Sequence, residues 1–274
     1  MKTRKIAGAL GAELTDVNLS SELTPERARE IRAALLAHQV IFFRDQPLSP
    51  AGFLRFAQAM GTPIDYPFVK GIEGFPQIIE VKKLEDERVN FGGIWHSDTT
   101  YLEKPPMGSM LFAREVPPYG GDTLFASQTL AYESLSDTMQ RLLDGLVGIS
   151  SSARADVSKT REDRIKSDGR AEAPKEFAAE HPVVRTHPET GRKSLYVNVA
   201  HTAGIKGLTQ EESEPLLQFL FRHQVKPEFT CRFAWQPGSI AFWDNRCTQH
   251  NPVNDYHGHR RVMLRITLEG DRPV

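Results

Sequence analysis

The chain has 274 residues, 39% hydrophobic and 25% charged, with 34 Lys and Arg against 35 Asp and Glu for a net charge of −1. Lacking a basic excess, it is a poor electrostatic match for nucleic acid or an anionic membrane surface. Its 20 Gly and 18 Pro are ordinary for a globular protein, and two cysteines, Cys231 and Cys247, make neither a disulfide scaffold nor a paired zinc site. The polar stretch from Met1 to Leu14 has no secretory apolar core, and no run of about eighteen apolar residues occurs, so a cytoplasmic protein is expected.

In chain order, Thr24-Pro25-Glu26 predicts a helix start, with Thr24 as N-cap and Ile31, Leu35 and Leu36 recurring at helical spacing up to about His38. Val40-Ile41-Phe42-Phe43 reads as a strand, and Pro50 to about Met60 as a second helix ending at Gly61. From about residue 76 short strand-like runs take over: Gln77 to Val81, Gly108 to Arg114, Ser194 to Asn198, Phe229 to Trp235, Ser239 to Trp243 and Arg261 to Leu268. Helices are expected over Ser136 to Leu146 and Glu211 to Val225, the second opened by a Thr209-x-x-Glu212 capping box. Residues 151–180 are nearly half charged and read as a mobile insertion in a single domain covering 1–274. Many short strands with few helices predict a mainly β sandwich or jelly roll with peripheral helices.

Two features bear chemistry. In Trp95-His96-Ser97-Asp98, side chains two apart share a side of an extended segment, so His96 and Asp98 can offer a nitrogen and an oxygen to one metal ion. With a second imidazole such as His250, this set leaves three adjacent coordination positions open, which suits non-haem Fe(II) better than zinc. Residue types alone do not select His250 from the nine histidines.

The second feature is the segment Arg261 to Leu268, which alternates strictly: Val262, Leu264, Ile266 and Leu268 on one face, Arg261, Met263, Arg265 and Thr267 on the other. The two guanidinium groups lie roughly 13 Å apart at about 3.3 Å per residue. That spacing fits two separate anions, each gripped by a forked pair of hydrogen bonds, unless the face is simply solvent-exposed. His181, His187, His223, His257 and His259 read as surface residues, and Trp95 and Trp243 as packing.

The motifs LGAEL (residues 10–14), WHSDTTY (95–101), GGDTLFAS (120–127), FWDNRCTQH (242–250) and RRVMLRITLEGDRP (260–273) together resemble the Fe(II)/2-oxoglutarate-dependent oxygenases of the taurine and aryloxyalkanoate dioxygenase family. The resemblance covers nearly the whole chain and implies a double-stranded β-helix core, the jelly-roll form of the sandwich. It implies His96, Asp98 and His250 as the Fe(II) ligands, and Thr123 and Arg261 as the groups holding the far carboxylate of 2-oxoglutarate. By the same resemblance Arg265 holds the anionic end of the substrate, and O2 is the second cosubstrate. The implied reaction hydroxylates a small organic anion and releases succinate and CO2.

Taurine recognition in the family uses a histidine in the loop that here reads GTPIDYPFVKG, which has none. Tyr66, Phe68 and Lys70, with Asn90, Phe91, Tyr101 and His201, point instead to a partly apolar pocket for a sulfonate, an alkyl sulfate or an aryloxyalkanoate. The competing reading is a catalytically inactive jelly-roll metal-binding module. No nucleic-acid or membrane partner is expected, and a homo-oligomer, dimer or tetramer, stays open.

Overall fold

The computed structural model describes residues 1–66, 69–90, 92–153 and 176–274. The expected insertion at 151–180 lies largely outside the described residues. Its two ends are paired: β8 (Val147–Ser151) and β9 (Ala178–Pro182) form an antiparallel ladder in which Ser151 faces Ala178.

The first half of the chain supplies β1 (Lys2–Lys5), β2 (Ala12–Thr15), α1 (Pro25–His38), β3 (Val40–Phe43), α2 (Pro50–Met60), β4 (Pro63–Ile64), β5 (Ile79–Lys83), β6 (Gly108–Glu115), β7 (Thr123–Ser127), α3 (Gln128–Glu133) and α4 (Asp137–Leu143). After β9 come β10 (Val184–Thr186), β11 (Lys193–Leu195), β12 (Thr202–Ile205), α5 (Gln210–His223), β13 (Thr230–Phe233), β14 (Ile240–Asp244), β15 (Thr248–Pro252) and β16 (Arg261–Leu268). Among the described residues no helix is long and apolar enough to cross a membrane.

The protein is mainly β with peripheral helices. The large sheet runs β1-β2-β3-β14-β6-β16-β4, with β5 also on β16, and a three-stranded sheet β13-β7-β15 forms a second layer. The central strands are apolar on both faces because both are covered. Ile41, Phe43, Met110, Phe112, Ile240, Phe242, Leu264 and Ile266 pack outward on α1 and α2. Their alternates Phe42, Ala113, Ala241, Trp243 and Met263 pack inward on Phe125 and Phe233 of the second sheet. The run VIFF therefore reads as an unbroken apolar stretch rather than an alternating one.

The helix ends follow their caps. Thr24 accepts a hydrogen bond from the Arg27 amide ahead of Pro25, and Ser49 accepts one from the Gly52 amide ahead of Pro50. Thr209 and Glu212 form the reciprocal capping box that starts α5, with Pro215 accommodated within the helix.

All eight residues of β16 are buried, so the arginine face is not in solvent. Leu264, Ile266 and Leu268 meet the helices, and Met263 meets the inner core. Arg261 and Arg265 share the inward face with Met263.

Candidate metal centre and its pocket

His96 and His250 come together through their backbones. They form an isolated antiparallel bridge, the His96 amide donating to the His250 carbonyl at 3.0 Å and the His250 amide to the His96 carbonyl at 2.8 Å. Directly opposed residues in such a pair share a face, and the two rings sit 4.2 Å apart. Asp98 Oδ1 lies 3.6 Å from His96 Nε2 and 3.8 Å from His250 Nε2. One ligand atom from each of the three residues falls within 4.8 Å of the others. Three donors from two distant segments thus converge on one point. Gly92 approaches closely here at φ +75°, where a Cβ would stand 3.0 Å from His96 Cε1.

Protonation and charge suit a divalent cation. His96 Nδ1 lies 2.7 Å from the Ile94 carbonyl, which can only accept, so Nδ1 carries the proton and Nε2 keeps its lone pair for a metal. Burial, then the neighbouring His96, pushes the His250 pKa well below its ordinary value and keeps that ring neutral. Burial also opposes ionisation of Asp98, but the Arg265 guanidinium and the two histidines outweigh it and hold its carboxyl well below the usual range. Asp98 Oδ2 is occupied by Arg265 Nη2 at 2.8 Å and by the Ser109 hydroxyl at 2.8 Å. Only Oδ1 therefore faces the histidines, as a one-oxygen ligand. The donor set fits Fe(II) with open positions left over.

His96 and His250 open onto a cavity lined also by Thr123, Arg261 and Arg265, with Val81, Leu111, Phe125, Trp243 and Pro252 as its apolar wall. Arg261 is 5% exposed, and its Nε and Nη2 have no hydrogen-bond partner among the described residues. A buried guanidinium left this way is costly unless an anion completes it. Thr123 stands in the same wall, carried into β7 by a turn in which Gly120 and Gly121 take φ of +71° and +68°. Trp235 Nε1 donates to Thr123 Oγ1 at 3.0 Å, which leaves the threonine's own proton free for an anion. The residues present therefore fit the far carboxylate of 2-oxoglutarate as well as the metal.

The structure refines the sequence expectations. The two anion sites expected along β16 are not equivalent: Arg265 Nη2 is already taken by Asp98, while its Nε has no hydrogen-bond partner among the described residues. Tyr66 packs over the Arg265 guanidinium at 5.4 Å. Tyr101 meets His201 edge-on at 4.9 Å, and the His201 ring lies 6.1 Å from that of His96. None of Tyr66, Lys70, Asn90, Tyr101 and His201 is among the residues lining this cavity. Lys70 is exposed, and Asn90 donates to the Pro252 and Val253 carbonyls and accepts from the Tyr256 hydroxyl, bracing the end of β15. Phe68 and Phe91 lie outside the described residues.

Three histidines expected at the surface are buried. His181 bonds the Leu102 carbonyl at 2.9 Å, His187 the Asp244 carboxylate at 3.0 Å, and His223 the Ala131 carbonyl at 2.8 Å. Each has a polar partner inside, which sequence alone does not reveal. Trp243 lines the cavity and packs on the His250 ring at 4.7 Å. Ser109, Trp235 and Asn245 also support the site, through Asp98, Thr123 and the Asp98 backbone respectively. Ser109 did carry a signal, as a lone hydroxyl on the inner face of an apolar strand.

The taurine catabolism dioxygenase TauD, TfdA family model matches residues 2–267. An alkylsulfatase of Acinetobacter baylyi is 36% identical over 278 residues, covering 99% of this chain and 86% of its own. An alpha-ketoglutarate-dependent sulfate ester dioxygenase of Pseudomonas putida is 34% identical over 276 residues, covering 98% and 89%. A crystal structure of a taurine dioxygenase from Burkholderia xenovorans matches with a TM-score of 0.84 at 36% identity, covering 100% of this chain and 90% of that one. With the triad assembled and the match running through nearly all of its length, the chain belongs to the TauD/TfdA family of 2-oxoglutarate-dependent dioxygenases.

Proposed function

We propose that the protein hydroxylates a small sulfate ester or sulfonate, with Fe(II), 2-oxoglutarate and O2, from a single oxygenase domain in the cytoplasm. The two facing sheets are read as a double-stranded β-helix, with the metal site between them. The observation that carries the activity is the sharing of one cavity by the His96–Asp98–His250 cluster and the anion-ready Arg261. A binding module without activity has no use for a buried, unpaired guanidinium in the same cavity.

When bound, Fe(II) supplies the oxidising chemistry that couples decarboxylation of 2-oxoglutarate, to succinate and CO2, with hydroxylation of a C–H bond. The chain's own residues position the reactants. His96, Asp98 and His250 would hold the metal beside the cavity. Arg261 and Thr123 grip the far carboxylate, fixing the direction from which the keto acid enters. Arg265, steadied by Asp98 and Tyr66 in the cavity wall, would hold the substrate's anionic head and so place one carbon near the metal. Phe125, Trp243 and Leu111 give the apolar wall against which an alkyl chain lies and water is displaced. If the hydroxylated carbon bears the sulfate oxygen, the product collapses to an aldehyde and free sulfate.

The lack of a histidine between Gly61 and Gly71 argues against taurine, and the alkylsulfatase and sulfate ester dioxygenase relatives make alkyl sulfates the first substrates to test. A screen of succinate release over alkyl sulfates, sulfonates and aryloxyalkanoates tests the reading. Turnover above the substrate-free background with alkyl sulfates is expected. Background rates with all three classes would contradict it.

A further inference from the structure

We propose that Asn245 is a positioning residue for the metal ligand Asp98, its side-chain amide standing in for a missing strand partner. The inference rests on the reading of Asp98 as a ligand.

The two histidine ligands are held by backbone hydrogen bonds to each other, as described above. Asp98 has no such pairing, since Asp98–Tyr101 lies outside every strand. The next residue, Thr99, takes φ +46°, a left-handed conformation that a β-branched side chain resists. Local backbone preference therefore works against this geometry, and a tertiary contact has to maintain it.

Asn245, in the turn between β14 and β15, makes that contact. Its Oδ1 accepts from the Asp98 amide at 2.6 Å, and its Nδ2 donates to the Asp98 carbonyl at 3.1 Å. One primary amide thus satisfies both backbone groups of a single residue, as a neighbouring strand would. The second Nδ2 proton goes to the Pro106 carbonyl at 3.1 Å, and the Asn245 amide donates to the Met107 carbonyl at 2.9 Å. Asn245 is fully buried, so water cannot replace these bonds.

The turn itself is anchored. Asp244 accepts from Arg246 Nε at 2.8 Å and Nη2 at 2.6 Å, and from His187 Nε2 at 3.0 Å. The rigid turn fixes the amide, the amide fixes the Asp98 backbone, and the backbone sets where Oδ1 points. Only a side chain with one donor and one acceptor at this length does this. Aspartate lacks the donor, alanine lacks both, and glutamine is one carbon too long.

The test is Co(II) titration of the metal-free full-length chain, followed by calorimetry and by visible absorption. Asn245→Asp and Asn245→Ala should bind Co(II) about 10- to 100-fold more weakly and show an altered Co(II) spectrum. Leu217→Ala, in the separate core around α5, serves as a control of comparable thermal destabilisation and should bind as the wild type does. Wild-type affinity and spectrum in both Asn245 variants would overturn the proposal, as would equal weakening in Leu217→Ala. If neither Asn245 variant folds, hydrogen exchange on the metal-free wild-type chain decides. The Asp98 amide should be protected like that of His250, and rapid exchange would overturn the proposal. Undiminished Co(II) binding by Asp98→Ala would instead remove the metal-ligand reading beneath it.

Discussion

Two buried clusters in this protein contain nearly the same residue types and differ in what is left open. His96, Asp98 and His250 bring their ligand atoms together, and so do His187, Asp244 and Cys247. In the second cluster His187 Nδ1 accepts from the Glu189 and Thr190 amides at 3.2 Å each, so Nε2 must carry the proton it donates to Asp244. Both Asp244 oxygens are taken by Arg246 and His187. Burial first, and then the Asp244 charge, pushes the Cys247 thiol well above its usual range, away from the thiolate a metal requires. In the first cluster both Nε2 atoms and Oδ1 point at a shared space, and the supporting partners of His96 and Asp98 sit on the far side of those ligands. Proximity of ligand types is therefore weak evidence for a metal site. Lone pairs left facing one point are strong evidence.

The contrast breaks most sharply by mutation. His250→Ala should abolish Fe(II) retention and 2-oxoglutarate-dependent succinate release, whereas Cys247→Ala should leave metal stoichiometry at one per chain in elemental analysis. A second metal equivalent lost with Cys247 would erase the distinction.

Next in size, Asp244→Asn takes from buried Arg246 its nearest counter-charge, leaving only Glu189, and from His187 its acceptor, a loss of about 3 kcal/mol seen as a Tm lower by roughly 10 °C. Here pH sharpens the comparison. Burial opposes ionisation of Asp244, but the Arg246 and His187 hydrogen bonds win and lower its folded pKa from 3.8. Its contribution is therefore complete above the unfolded value and fades as pH falls through the depressed folded value. The difference between wild type and Asp244→Asn should be constant from neutral pH to about 5 and narrow only below 3.8. A gap that closed by pH 5 would mean that Asp244 does not hold this network.

Arg261→Ala should raise KM for 2-oxoglutarate about 10- to 100-fold, the loss of charge-assisted hydrogen bonds worth ~1.5–3 kcal/mol, with a smaller effect on the KM of the anionic substrate. The smallest effect is expected for Trp235→Phe, which removes the donor to Thr123 but keeps the wall. A rise of a few-fold in KM for 2-oxoglutarate with unchanged Tm is predicted by initial-rate kinetics. No change would show that Trp235 only packs.

The sequence disclosed what local patterns encode. Caps placed α1 and α5, Pro50 and Gly61 bounded α2, and strict alternation placed β16 with its two arginines on one face. β15, the strand that carries His250, was not legible because TQHNP has no apolar rhythm to find; its inner face belongs to the site rather than to the core. The expectation of two external anions on β16 needed coordinates to show that Asp98 engages Arg265 from within the protein. Asn245 and Trp235 act only through residues more than a hundred positions away in the chain, and no periodicity reports such contacts.

The central claim is that the triad and Arg261 together hold an Fe(II)–2-oxoglutarate pair in one pocket. Anaerobic addition of Fe(II) and 2-oxoglutarate to the metal-free protein, read in the visible range, tests it most directly. A weak charge-transfer band is predicted in the wild type, absent in His250→Ala and requiring more 2-oxoglutarate to saturate in Arg261→Ala. No band in the wild type, or one unchanged in His250→Ala, would contradict the account.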